Sequence, residues 1–302
     1  MDPAPAALIA RIETFYDAVP RDVARAEEHG GLVLFVREDP GWPFYARPAP
    51  ATTAPVSADD ITTVRHRQRS LGLPEAFEWV HEQNPELQEV ARAAGLRVRP
   101  APLMVLDPDI RPDPVTFSDV PVRLVTPDTP DFVRDVAARR AVAAVGFSAA
   151  GTAPGDAGPQ TRDAAVTELD VAALEEEAAR ITDGRRICVL AETPTAGALA
   201  SGMAIRVGSV AEIAGVSTLP VARRQGLGAA VTAALARALR DGGTEVILLS
   251  AGSAEVARVY RRVGFRQVGT ACLAEPAPSL PNPGSGGATG RRSRRRNPTA
   301  GE

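Results

Sequence analysis

The chain contains no lysine, so all 34 of its basic side chains are arginine. That excludes every phosphate loop of the form G-x-x-x-x-G-K-[ST], which needs the ammonium group. Histidine is nearly as scarce. His29, His66 and His81 all fall in the first third, which rules out a Ser-His-Asp triad or a histidine-ligated zinc wholly within the C-terminal half. The two cysteines, Cys188 and Cys272, are too few for a disulfide framework or a four-thiolate metal site, and no metal is expected. No run of 18 apolar residues occurs. The first fifteen residues carry an early acid and no basic segment ahead of an apolar stretch. The expectation is a soluble, cytoplasmic protein without secretory signal or membrane contact.

What is present is an ordinary globular composition: 302 residues, 44% hydrophobic and 24% charged, enough for one large or two smaller α/β domains. The net charge of −3 is unevenly placed. The last 25 residues hold five arginines against one acid, a local +4, which leaves −7 on the remainder. A mildly acidic body argues against nucleic acid as a partner. The tail, PSLPNPGSGGATGRRSRRRNPTAGE, has a composition that cannot bury a core, and a nucleic-acid or acidic-partner contact for it is only a weak alternative to plain solvation.

Proline and aspartate cluster over 106–122 without helical or alternating periodicity, and this stretch reads as a linker. The expected organisation is an N-terminal domain (1–110), a linker (111–120), a C-terminal domain (121–277) and a disordered tail (278–302). In the first domain GGLVLFVRE and WPFYARP read as strands about a turn at Asp39-Pro40-Gly41. Ser57 or Asp59 caps a helix to about Arg69, EAFEWVHE is a strand, Asn84 caps a helix, and LRVRPAPLMVL returns as strand. The second domain reads as strand (122–125), helices (131–145 and 169–181), three strands (185–191, 198–207, 210–219), helix (226–240), strand (245–250), helix (254–263) and strand (266–274). This is a mixed-sheet α/β fold. Both halves close in the order helix, strand, helix, strand, the pattern of a duplicated unit. The glycine-rich stretch 146–160 is long enough to be a mobile loop over a site.

The informative segment is AEIAGVSTLPVARRQGLGAAVTAALARALRDGG. A strand runs to Pro220, and Arg223-Arg224-Gln225-Gly226-Leu227-Gly228 then opens an amphipathic helix. Unpaired N–H groups, the helix dipole and glycines that admit close approach together make an anion site. A dinucleotide fingerprint does not fit, because Val231 stands where a small third residue is needed and the glycines begin six residues beyond Pro220.

Pro220-Val-Ala-Arg223-Arg-Gln-Gly226-Leu-Gly228 resembles motif A, P-x-x-R-x-x-G-x-G, of the GNAT superfamily of acyl-CoA-dependent N-acyltransferases. Downstream, SAEVARVYRRVGF (253–265) resembles its motif B, with Ser253 in place of the usual asparagine and Val256 in place of the alanine. The resemblance covers roughly 122–275 and implies a GNAT fold with acetyl-CoA as cosubstrate. It implies that the backbone of Arg224, Gln225, Gly226, Leu227, Gly228 and Ala229 holds the pyrophosphate, with charge from Arg223 and Arg224. The pantetheine arm is then expected between the strands ending at Leu219 and Ser250, with backbone N–H near Thr218 at the thioester and Ser253 near the cofactor. Tyr260 occupies the family's general-acid position, and a phenol matches a departing thiolate. Glu212, the one ionisable residue of its strand, lies eleven residues before Arg223, a spacing similar to that of the general-base glutamate in some members.

FYDAVPR, GWPFYARP and PEAFEWVHE resemble the N-terminal part of tandem GNAT proteins from actinobacteria. That half lacks the glycine pair, so it reads as a degenerate GNAT-like unit that walls the acceptor pocket. Trp42, Phe44, Tyr45, Trp79 and His81 are candidates for substrate contact or for packing. The expected activity is acetyl transfer by direct attack to a primary amine of a small molecule, with a protein acceptor as the second choice, by a monomer or homodimer. The alternatives are a non-catalytic acyl-CoA sensor and a mycothiol-synthase-like enzyme. The acids Asp163, Glu168, Asp170, Glu175, Glu176 and Glu177 would favour a cationic acceptor if they face its pocket.

Overall fold

The computed structural model describes residues 3–38, 43–50, 55–149 and 151–277; the expected 39–41 turn, Trp42 and the 278–302 tail lie outside them. The chain opens on a helix the sequence reading did not anticipate, α1 (Pro3–Arg21). Its apolar side chains at Leu8, Ile9, Ile12, Phe15, Tyr16 and Val19 recur at helical spacing and pack on one cluster. The strands β1 (Ala24–His29), β2 (Leu32–Arg37) and β3 (Arg47–Pro48) form an antiparallel sheet in that order. The polar sequence ARAEEH becomes β1 through six residue pairs with β2, and only two residues of WPFYARP join the sheet.

Helix α2 (Ala58–Ser70) begins at Ser57, whose hydroxyl accepts the Asp60 N–H while the Asp60 carboxylate accepts the Ser57 N–H. Then come β4 (Phe77–Val80), α3 (Leu87–Ala93) and β5 (Leu96–Leu106). The expected cap at Asn84 is corrected. Glu86 precedes the helix without a side-chain bond, because Gln83 and Asn84 N–H close turns onto the Val80 carbonyl first.

The second half runs β6 (Val122–Leu124), α4 (Phe132–Ser148), a short α5 (Pro159–Ala164), α6 (Val171–Thr182), β7 (Arg186–Thr193), β8 (Gly197–Val207), β9 (Val210–Thr218), α7 (Leu227–Asp241), β10 (Val246–Ser250), α8 (Ala254–Val263) and β11 (Phe265–Pro276). Its strands do not close on themselves. The large sheet has the order β4-β11-β5-β10-β9-β8-β7-β6, so β5 sits between β10 and β11 while β11 sits between β5 and β4. Eleven antiparallel pairs, from Phe265 with Leu106 to Pro276 with Leu96, bind the two closing strands to each other. Each half therefore lends its last strand to the other across the 111–120 segment. A single parallel bridge joins Ala46 to Phe77, and β9 runs parallel to β10.

The sheet is covered on both faces. Along β7, Val189 and Ala191 meet the α7 cluster, whereas Cys188 and Leu190 meet α4, the period-two alternation of a strand buried on both sides. Helix α7 comes close because Ala229, Ala230, Ala233 and Ala236 are small; a Cβ at Gly202 of β8 would stand 2.7 Å from Val231. The acids of 163–177 do not gather at a cavity. Glu177 is buried and holds Arg139 and Arg186 at 2.9 and 2.7 Å, and Glu176 pairs with Arg37 and Arg180. Among the described residues no helix is long and apolar enough to cross a membrane.

Residues 121–277 produced alone lack β5 and expose unpaired edges on both β10 and β11. They are expected to be insoluble or unfolded, with recovery on co-expression with 1–110. The intact chain is expected to unfold in one calorimetric transition whose enthalpy equals the van't Hoff value.

Candidate functional site

Strands β9 and β10 pair for only three residues, Val210 with Val246 to Glu212 with Leu248. Beyond that point β10 follows β5, with Leu249 opposite Met104 and Ser250 opposite Leu103, while β9 stays with β8. A break in register opposite Ser201–Met203, where Gly215 takes φ +63, bends β9 further. The wedge between them opens into a cavity of about 560 Å³, floored by 213–218 of β9 and bounded by the start of α7, by Ser250, by α8 and by Gly146, Phe147, Ala149, Gly151 and Thr152.

The start of α7 faces this cavity. No side chain caps it, and its first internal bond joins the Ala230 N–H to the Gly226 carbonyl, so the N–H groups of Leu227, Gly228 and Ala229 find no acceptor within the helix. Arg224, the one non-glycine residue with positive φ among those described (φ 66), and Gly226 (φ 80) curl the preceding loop into a concave turn. The two motif glycines have different reasons. A Cβ at Gly226 would lie 1.8 Å from the Phe117 carbonyl oxygen, so packing alone demands glycine there. A Cβ at Gly228 would meet only the Thr218 hydroxyl, at 3.8 Å, and would project into the cavity. Nothing in the protein requires glycine at 228, and its absence of a side chain leaves the backbone there open to close approach from the cavity.

Of the residues read from the sequence, Thr218, Arg223, Arg224, Gly226, Leu227, Gly228, Ala229, Ser253 and Tyr260 line the cavity together. Leu219 and Gln225 do not. Leu219 is fully buried in the α4 cluster and its N–H donates to Leu199, while Gln225 points to solvent. The arginines are also less free than expected. Arg223 donates to the carbonyls of Gly146, Ala149 and Ala153 at 2.7, 2.8 and 3.1 Å, which ties the 146–153 segment over the site, and Arg224 pairs with Glu255 at 2.8 Å. The Ser253 hydroxyl caps α8 by accepting the Val256 N–H.

Tyr260 is 8% exposed on the buried stripe of α8, and burial pushes its phenol up to about 12, so it holds its proton throughout the neutral range. Glu212 stands apart from the cavity lining. Its carboxylate accepts the Tyr16 hydroxyl of α1 at 3.0 Å in a region shared with Arg47 and Glu78. Burial first and the Glu78 charge second push it up to about 7, against the opposing pull of the Tyr16 hydrogen bond and Arg47. Trp79 is core, and His81 is partly buried. Two cavity-lining residues were missed, Phe147, 63% exposed at the rim, and Ser250; so was Tyr16 beside Glu212, which looks like any other apolar position of its helix.

A family model described as FR47-like protein matches residues 192–273, which run from the end of β7 through the anion loop to β11. No curated protein matches the chain. Among solved structures, a GCN5-related N-acetyltransferase from Kribbella flavida superposes with a TM-score of 0.60 at 23% identity, over 90% of this chain and 97% of its own. A GNAT-family putative acetyltransferase from Novosphingobium aromaticivorans reaches 0.49 at 18% identity over 85% and 92%. A GCN5-related N-acetyltransferase-like protein from Streptococcus suis reaches 0.49 at 12% over 89% and 98%. The superposition on the Kribbella protein spans both halves, and the chain has the mixed α/β fold of the GNAT N-acetyltransferases, with a large sheet centred on the C-terminal half and a smaller N-terminal one.

Proposed function

We propose that the chain transfers an acetyl group from acetyl-CoA to a primary amine of a small molecule. The observation that carries this reading is the uncapped start of α7, with Gly228 open to the cavity: room, free N–H groups and a positive dipole end where a pyrophosphate would lie. Acetyl-CoA supplies the activated acyl group as a thioester. The N–H groups of 224–229 hold its phosphates, and the free edge of β9 over 213–218 offers backbone groups to the pantetheine arm. Those N–H groups also polarise the reacting carbonyl. Tyr260, protonated at neutral pH, donates to the departing sulfur. Glu212, poised near 7, takes the proton that an ammonium acceptor must lose before it attacks. The N-terminal half, on this reading, is a degenerate GNAT-like unit that walls the acceptor side.

Calorimetric titration with acetyl-CoA is expected to give one site per chain that Gly228→Trp abolishes. A silent wild type, or a variant that still binds, would end the reading. Glycine substitutions separate packing from binding. Gly226→Ala is expected to cost at least about 2 kcal/mol, from left-handed strain and overlap with Phe117, read as a lower denaturant midpoint. Gly228→Ala is expected to leave the midpoint within about 0.5 kcal/mol while weakening acetyl-CoA.

An acceptor screen that follows thiol release is expected to show kcat/KM falling below pH about 7, because the base is then protonated. Glu212→Gln removes that limb and costs on the order of 10²-fold or more; Tyr260→Phe lowers kcat with acetyl-CoA affinity retained. Retained turnover in both variants would remove them from the chemistry.

A further inference from the structure

Glu212 does not line the cavity in which an acceptor would meet the thioester, so its role as base requires a route for the proton. The groups that could form one come from both halves. Ser250, at the end of β10, lines the cavity, and its hydroxyl is a neighbour of the Tyr16 phenol that favours the ionised phenol, with no direct hydrogen bond closed between the two. The Tyr16 hydroxyl in turn donates to Glu212 at 3.0 Å. Tyr16 is fixed from the N-terminal side. The Arg47 guanidinium, 2% exposed, lies 4.5 Å from the centre of its ring, and Arg47 is itself held by Glu78 at 2.5 Å and Glu13 at 3.1 Å. Glu13 also accepts the Val80 N–H at 2.8 Å, which ties the assembly to β4. The groups facing Glu212 are thus Tyr16 and, one shell out, Glu13 from α1, Arg47 from β3, Glu78 from β4 and the Ser250 hydroxyl from β10.

We propose that Ser250 and Tyr16 relay the acceptor's proton from the cavity to Glu212, and that the N-terminal half serves the C-terminal site by supplying Tyr16. The inference rests on the reading of Glu212 as the base. The transfer balances as three concerted hops. The ammonium N–H proton passes to the Ser250 oxygen, the Ser250 proton to the Tyr16 oxygen, and the Tyr16 proton to the Glu212 carboxylate. An amine with a free lone pair and a neutral carboxyl result; both hydroxyls end as they began, each with its proton replaced. Burial together with the nearby Glu212 charge holds the phenol well above its ordinary value, so Tyr16 stores no charge and serves only as a conduit. Ser250 touches the substrate side and is catalytic in this scheme. Tyr16 acts through its neighbours and is a positioning residue. The arrangement also gives the N-terminal half a task that needs no second acyl-CoA.

The test uses the full chain with Tyr16→Phe, Ser250→Ala and Glu212→Gln. The Glu212 carboxyl band in infrared titration, identified by its loss in Glu212→Gln, requires no acceptor. Its midpoint is expected near 7 in the wild type and higher in Tyr16→Phe, where the donor that favours the carboxylate is gone. With the best amine from the acceptor screen, Tyr16→Phe and Ser250→Ala are each expected to lower kcat on the order of ten-fold or more, with acetyl-CoA affinity and thermal midpoint held. Tyr16→Phe combined with Glu212→Gln is expected to be no slower than Glu212→Gln alone. An unmoved Glu212 midpoint in Tyr16→Phe, a wild-type rate in Ser250→Ala, or losses that multiply in the double variant would overturn the relay. If Glu212→Gln is slow while both hydroxyl variants run at full rate, the relay alone fails. If Glu212→Gln itself runs at full rate with acetyl-CoA bound, the base assignment fails and takes the relay with it.

Discussion

β10 is five residues long and hydrogen-bonds two strands that run in opposite senses, β9 in parallel through Val246–Leu248 and β5 antiparallel through Leu248–Ser250. It satisfies them in turn, and Leu248 is where one partner gives way to the other. The antiparallel partner is fixed by the eleven pairs that join β5 to β11, a far longer contact than three parallel pairs. The second half of β10 is thereby drawn away from β9, whose edge is left open over 213–218. In most sheets an open internal edge is a defect, since unpaired backbone groups away from water are costly. Here the gap is the cavity floor, and the start of α7 closes one end of it. The strand exchange between the halves and the site are consequences of one pairing pattern.

The same geometry explains why Glu212 is unusual. It is the last β9 residue paired to β10, at the apex of the wedge, so its side chain is shielded by the elements that converge there. A carboxyl in that position prefers to be neutral, and Glu78 strengthens the preference. Because its folded value lies above its unfolded one, Glu212 favours folding in acid and progressively opposes it as pH rises from the ordinary carboxylate range through about 7. The Tyr16 hydrogen bond and Arg47 limit that opposition. A group that destabilises the fold at the pH where a base is needed fits a catalytic role better than a structural one.

Much of this was legible in the sequence, for identifiable reasons. Residues 226–240 and 254–263 have clear helical periodicity, glycine punctuation and a serine cap, and β5 was readable end to end because LRVRPAPLMVL is bounded by Gly95 and Asp107. What could not be read was long-range. β1 is polar and owes its form to β2. α1 carries three prolines that obscure a good apolar stripe. Tyr16 lies 196 residues from Glu212, and no local pattern marks it as anything but core. A motif gives residue order but not facing: Leu219, just past the end of β9, is buried in the α4 cluster and does not line the cavity.

Two helices at similar places in the element order of the two halves, α2 and α7, begin in opposite ways, and the contrast bears on the proposed anion site. Both lie between two strands in chain order: α7 joins the neighbours β9 and β10 of the large sheet, whereas α2 leads from β3 of the small sheet to β4 of the large one. At α2 the exposed N–H groups are already served: the Ser57 hydroxyl takes the Asp60 N–H, the Asp60 carboxylate takes the Ser57 N–H, and Asp59 adds a second negative charge in the first turn. The dipole is neutralised from within, and an arriving phosphate would meet like charge at the one place a helix attracts it. At α7 the corresponding positions hold Gly226, Leu227 and Gly228, with no acid in the first turn and no side-chain cap. The difference amounts to a capping box against a pair of glycines. On the proposed function, that difference would put anion recognition in the C-terminal half, while the N-terminal half places Tyr16 and Arg47 beside Glu212.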